Sequence, residues 1–356
     1  MTAEFRLRQA WTIARLQLRR VFFSKRSSWV YLLALFPSVP FFGHAIEVKL
    51  SQSRYASRVT AAAILESIRE GDTDEEVLKT AGEPVHERKF RRGPRGEASV
   101  EYRNLIYFDG ERRWFLHFEA GILQNKRSRP LIDFEDDRKV FAGVFQYFYL
   151  RLAVFFGCLG IFMNLFRGEI LDKTLHFWFL APARREVLLA GKYLAGLIAA
   201  TLIFATGAAL SFGLMLWPQD AVELSAFWRA QGPEHLFWYA TAAAAGCVGY
   251  GSLFLAAGLL VRNPVVPAIV ILFWEGINGI LPAALQKFSV LYYVQSLAPI
   301  PPPMDANAPA LIQLLMSPAD PPSTVAAVCG LLAVTALVLW IASRSVQRIE
   351  INYGTD

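Results

Sequence analysis

The chain has 356 residues, 54% of them hydrophobic and 19% charged, with a net charge of +6 and a mean hydropathy of +0.33. That is too apolar for an ordinary soluble protein of this length. Its basic excess flanks apolar runs, where topology and anionic lipid account for it, so no nucleic-acid partner is implied.

Residues 1–28 carry Phe5, Trp11, Ile13, Leu16 and Val21 at helical spacing, with Arg6, Arg8, Arg15, Arg19 and Arg20 between them. The pattern predicts a cytoplasmic amphipathic helix whose arginines reach lipid headgroups. About 20 apolar residues cross a hydrocarbon core roughly 30 Å thick. Six blocks meet that length: 29–46, 140–166, 193–217, 236–261, 265–285 and 325–343. The first is the weakest, because it contains Pro37 and Pro40. Gly43-His44-Ala45 offers a small-x-small cleavage site, but the long patterned basic region before the run favours a retained helix.

With the N-terminus inside, the inner segments hold fifteen Lys and Arg, while the short outer loops hold only Arg229 and Lys287. Both termini (the tail being 344–356) are therefore expected in the cytoplasm. The chain reads as a polytopic α-helical membrane protein with six transmembrane helices and a small α+β extracytoplasmic domain between helices 1 and 2.

That domain is the polar stretch 47–139. Thr73 and Glu76 form a capping-box signature, and Gly82 with Pro84 ends the helix that follows. Alternating apolar residues on either side of Asp109-Gly110 predict an antiparallel hairpin, so two helices followed by three or four strands are expected. The acidic cluster Asp133, Glu135, Asp136 and Asp137 fits no calcium-loop spacing and reads as a solvated linker. Segment 286–324 is apolar but broken by Pro299 and Pro301-Pro302-Pro303, as expected of a re-entrant outer segment.

No nucleophile elbow, zinc-protease His pair or dinucleotide fingerprint is present, so neither catalytic nor metal-binding residues are expected. Asp172 stands where a phosphate loop would place Gly before Lys173-Thr174, which argues against ATP on this chain. The three cysteines all fall inside apolar blocks, and the five histidines are scattered. Two charges stand out, Arg151 and Glu275. Each lies about eleven residues, hence about 16 Å, into its helix, and the two are expected to form a cavity-lining pair or a static ion pair.

Two resemblances extend this reading. The spacing Gly71-x-Thr73, Val77, Gly82-x-Pro84, then Phe118-x-x-Gly121-x-Leu123, resembles the small outer-membrane-assembly lipoprotein domain family (SmpA/OmlA, BamE-like). It implies a bacterial envelope-side interaction module that docks an envelope partner or handles cargo. The cytoplasmic segment 167–192 reads Glu169, Lys173-Thr174-Leu175, Leu180-x-Pro182-x-Arg184, Leu188 and Lys192-Tyr193, and resembles the loop between spans two and three of ABC-2-type transporter permeases.

That second resemblance implies an inner-membrane exporter subunit, a homodimer or heterodimer, with no cofactor of its own. ATP and Mg belong to a separate cytoplasmic ABC ATPase. It also implies a coupling helix, with Glu169, Asp172, Lys173, Thr174, Leu175, Phe177, Pro182, Arg184 and Arg185 at the ATPase contact. The competing class is a non-transporting membrane scaffold displaying the BamE-like domain.

Overall fold

The structure is a computed structural model that describes residues 3–23, 28–55, 58–92, 100–180, 183–261, 263, 265–301 and 321–348. It divides into two compact units, one of Met1–Phe41, Arg138–Met215 and Ala221–Asp356, the other of Phe42–Asp137 and Leu216–Asp220.

The first unit is helical. After α1 (Ala3–Phe23) come α2 (Ser28–Leu35) and the start of α3 (Ser38–Tyr55), whose remainder belongs to the second unit; α2 and α3 are bent by 41°. The bend falls at Phe36-Pro37, where proline removes an amide donor and crowds the preceding turn. Among the described residues four helices are long and apolar enough to cross a membrane, or five if this bent pair counts as one. The four are Phe134–Leu171, Arg185–Leu216, Gly232–Leu260 and Thr324–Gln347. This is a multi-pass membrane protein.

The fifth apolar block, 265–285, departs from its expected continuous span. Its helix, Val265–Gly276, is 12 residues long, about 18 Å at 1.5 Å per residue. A 3₁₀ turn at Asn278–Ile280 and a short helix at Ala283–Gln286 follow it. Gly276, Gly279 and Pro282 explain the break, since two residues disfavour a helix interior and the third cannot donate within one. Segment 286–324 contributes one more short helix, Val290–Gln295, and its residues 302–320 lie outside the described ones. Packing is tight among the long helices. Tyr149 donates to the Phe204 carbonyl at 2.7 Å in a buried site, and the half-buried Tyr193 donates to that of Val248 at 2.9 Å.

The second unit holds the predicted α+β domain: α4 (Ala62–Ser67), α5 (Asp74–Ala81) and four antiparallel strands in the order β1 (His86–Arg92), β2 (Val100–Phe108), β3 (Arg112–Glu119) and β4 (Ile122–Pro130). The capping box is present in full. Leu65, Ile68 and Val77 from the helices close over Leu105, Tyr107, Leu116 and Phe118, one face of the sheet. Burial pushes the Tyr107 hydroxyl up to about 12, and it donates to the Gly82 carbonyl at 2.9 Å.

The acidic run differs from the expected solvated linker. Asp133 accepts the Asp136 amide at 3.0 Å and so caps the helix that begins at Phe134, and Asp137 accepts from Gln219 at 2.7 Å.

Asp109 organises the first hairpin. Its carboxylate accepts the Glu111 and Arg112 amides at 2.9 and 2.6 Å and the Trp114 indole N–H at 2.7 Å, while Gly110 supplies a φ of 108°. Partial burial works to raise this carboxyl, but the three donors outweigh it and hold it below the usual carboxylate range. A lowered folded value means stability that is present above roughly pH 4 and lost as pH falls through the folded value. Asp109→Ala is expected to destabilise the domain by about 1–3 kcal/mol. Faster hydrogen exchange at the β2–β3 amides would report it, and unchanged protection would show that the turn holds without the carboxylate.

Candidate functional site

The helix Phe134–Leu171 ends in a left-handed turn. Lys173 adopts φ 54°, and the Thr174 amide returns to the Glu169 carbonyl at 2.9 Å. The chain then makes a six-residue helix, Leu175–Leu180, before the next long helix begins at Arg185. Leu175, its first residue, is buried, whereas Phe177 is 65% and Leu180 79% exposed, with Leu171, Asp172 and Lys173 exposed beside them. The result is a mixed apolar and charged knob that the described residues leave uncovered. Pro182 lies outside the described residues. Arg184 is exposed.

Beneath the knob sits a buried charged cluster. Lys192, 0% exposed, donates to Glu169 Oε2 and to the Leu165 carbonyl, each at 2.5 Å, and faces the Phe166 and Trp178 rings at 4.7 and 5.5 Å. The other oxygen of Glu169 accepts from Gln17 at 2.8 Å and lies 3.4 Å from the Arg20 guanidinium. An unpaired charge is costly in such a setting, and here the carboxylate meets a cation and an amide while the ammonium has a carbonyl and two ring faces.

Glu169 was expected on the ATPase-facing surface. It is 5% exposed and turned inward onto Lys192 and Gln17 at the base of the knob.

Helix α1 and the final helix add further contacts to the brace. Helix α1 turns Ile13 onto Val187, Leu188 and Trp178. It comes so close that a Cβ at Gly191 would lie 2.7 Å from the Ala10 carbonyl oxygen, which is why glycine stands there. Arg185, also expected at the coupling surface, donates to the carbonyls of Val346 and Gln347 at 3.3 and 3.1 Å and so caps the last helix. Glu186 in turn bonds Gln347. The N-terminal helix, the short knob and the final helix thus converge on the first turns of Arg185–Leu216. Gln17 was not singled out in the sequence, and Arg20, expected at lipid headgroups, lies instead beside Glu169. Their only signal was a polar and a charged residue at helical spacing from the apolar Ile13.

Arg151 and Glu275, the pair expected from the sequence, interact electrostatically but form no ion pair within 4 Å. Glu275 accepts the Ser289 hydroxyl and the amides of Val290 and Leu291 at 3.0 and 3.2 Å, so it caps the short helix Val290–Gln295. Arg151 lies over the Tyr147 ring at 5.6 Å, and its Nε is buried without a hydrogen-bond partner. It belongs to an eleven-residue π-helical stretch, Val144–Val154, a conformation that usually occurs as a single turn. An apolar groove of about 410 Å³ runs between Phe156–Asn164 and Val265–Leu272, with Asn164 its one polar lining residue.

No protein-family model matches the sequence, and no curated protein matches it.

Proposed function

We propose that this chain is the membrane-spanning permease of an ABC-2-type exporter, driven by a separate cytoplasmic ATPase that carries the ATP and Mg. The observation that supports this reading is the exposed knob Leu175–Leu180 set on a buried ionic brace. A short exposed helix transmits force only if its base is stiff. Here Glu169, Lys192, Gln17 and Trp178 tie the base to the start of one long helix and to α1.

The count of fifteen inner Lys and Arg against two outer ones supports placing the knob in the cytoplasm. Termini on the same side require an even number of crossings. In this reading Val265–Gly276 and the broken turns after it make a discontinuous crossing beside the bent pair and the four long helices. Broken helices at membrane depth are tolerated where protein satisfies their backbone, as Glu275 does for Val290 and Leu291. A second copy of the chain, or a related one, completes the pathway. The apolar groove and the single polar Asn164 favour a largely hydrophobic cargo portion. A scaffold that only displayed the outer domain would leave the braced knob without a purpose.

The test is co-purification of an ATPase with the tagged chain in mild detergent, beside a Phe177→Glu/Leu180→Glu variant. Both positions are exposed, so the variant keeps the brace intact. A stoichiometric ATPase that is lost in the variant is the expected result. A folded wild-type chain that brings down no ATPase would move the reading to the scaffold.

A further inference from the structure

The apolar groove of about 410 Å³ changes its chemistry along its length. Successive helical positions are about 100° apart, so Phe156, Leu159, Gly160, Met163 and Asn164 fill an arc of about 140° on one side of their helix. Arg167, about one turn beyond Asn164, falls near the middle of that arc. It is half-buried, and among the described residues it makes no ion pair or hydrogen bond. Asn164 gives one amide hydrogen to the Gly160 carbonyl at 2.6 Å and keeps its second. From Arg167 inward the order is cation, amide donor, then only apolar surface as far as Phe156.

The facing wall is open, since Val265 and Ile269 are 56% and 60% exposed. An apolar surface of this kind needs a cover, and its length points to one. Phe156 to Arg167 is eleven residues, about 16 Å at 1.5 Å per residue. One leaflet supplies about half of a hydrocarbon core roughly 30 Å thick. A single acyl chain thus reaches from the level of Arg167 to that of Phe156. The order of groups agrees too, because a phospholipid runs from phosphate through ester carbonyl to hydrocarbon. A second copy of the chain fits less well. A two-fold contact would bring both copies of Arg167 to one seam, and no described lining residue is acidic.

We propose that this groove binds one phospholipid of the inner leaflet, its phosphate on Arg167, an ester carbonyl on Asn164 and an acyl chain along Met163, Leu159 and Phe156. The choice of leaflet rests on the cytoplasmic placement of Asp172 and Lys173 in the functional reading above, and the lipid gives that reading its cargo class.

That placement is tested by itself. Asp172→Cys should react with a membrane-impermeant maleimide in inverted vesicles, above the unsubstituted chain, and not in intact spheroplasts. The reverse would overturn the inner leaflet and the orientation together. The binding test is native mass spectrometry of the full chain in dodecyl maltoside. The added probes are dioleoylphosphatidylglycerol, dioleoylglycerol, which lacks the phosphate, and glycerol phosphate, which lacks the chains. One saturable phosphatidylglycerol per chain is expected, with neither of the other two retained. Arg167→Gln should weaken it about tenfold. Ile269→Trp, at an exposed position lining the groove, should weaken it by filling the space, while Arg129→Gln in the other unit should change nothing. A phosphatidylglycerol with a diazirine at the end of one chain should label the peptide that holds Phe156 and Leu159.

Equal retention by the wild type, Arg167→Gln and Ile269→Trp would overturn the site. Dioleoylglycerol held as firmly as phosphatidylglycerol would overturn the phosphate contact. Lipid-free dimers that Ile269→Trp splits into monomers would overturn the lipid in favour of a second copy. No ATPase takes part in these measurements, so a failure to co-purify one leaves their outcome unchanged.

Discussion

Lys192→Met is expected to destabilise the protein by about 3–5 kcal/mol, the usual result of removing one partner from a buried ion pair. The reason is local. Without the ammonium, Glu169 keeps only Gln17 and the more distant Arg20 in a site that is 5% exposed, and the Leu165 carbonyl loses its donor. Glu169→Gln should cost a similar amount, because it leaves Lys192 charged and buried between two rings. The double variant Glu169→Gln/Lys192→Met should recover most of the loss, since two apolar or neutral groups need no mutual compensation. Unfolding midpoints of the four proteins in one detergent close the cycle. A double variant as unstable as the sum of the singles would show that the two side chains contribute packing and no coupling. If the brace also carries force, each single variant should keep its bound ATPase yet lose stimulated turnover, whereas the knob variant loses the ATPase itself.

Glu275→Leu is expected to be severe and Arg151→Leu nearly silent in stability. Glu275 serves three donors, the Ser289 hydroxyl and two amides at the start of Val290–Gln295. Removing the acceptor leaves those donors buried, at about 1–3 kcal/mol for each one that finds no new partner. Arg151 already has an Nε without a partner, so a leucine there gives up only its contact with Tyr147 and a longer-range attraction to Glu275 that no hydrogen bond reinforces. An ion pair between the two would instead make both substitutions costly and the double variant cheap. Heat-inactivation of the single and double variants separates the cases, and equal losses in the two singles would restore the paired-charge view. Arg151→Leu then becomes informative for transport, because an effect on cargo with unchanged stability places the guanidinium in the pathway.

Much of the architecture was legible in the residues because its causes are local. Apolar length set four long helices, and Pro37 set the bend in the first apolar block. Thr73, Glu76 and Gly82 bounded one small helix, and Asp109-Gly110 turned the hairpin. Each of these depends on neighbours within a few positions, where composition and backbone geometry decide. Phe177 was singled out only through the resemblance to permease loops, and the structure finds it 65% exposed on the short helix.

What only the tertiary structure decided are pairings between distant positions. Glu169 looked like a surface charge until Lys192 and Gln17, 23 and 152 residues away, turned it inward. Glu275 and Arg151 looked like a couple because both are charges at similar depth, yet depth along an axis fixes neither azimuth nor the approach of a backbone such as that at Val290. The face on which each sheet cation lies likewise needed the strand register, in which a one-residue step changes the face of every side chain. Hydrophobic length and turn chemistry act along the chain and can be read there. A buried charge takes whichever partner the packed helices bring within about 3 Å, and that choice exists only in three dimensions.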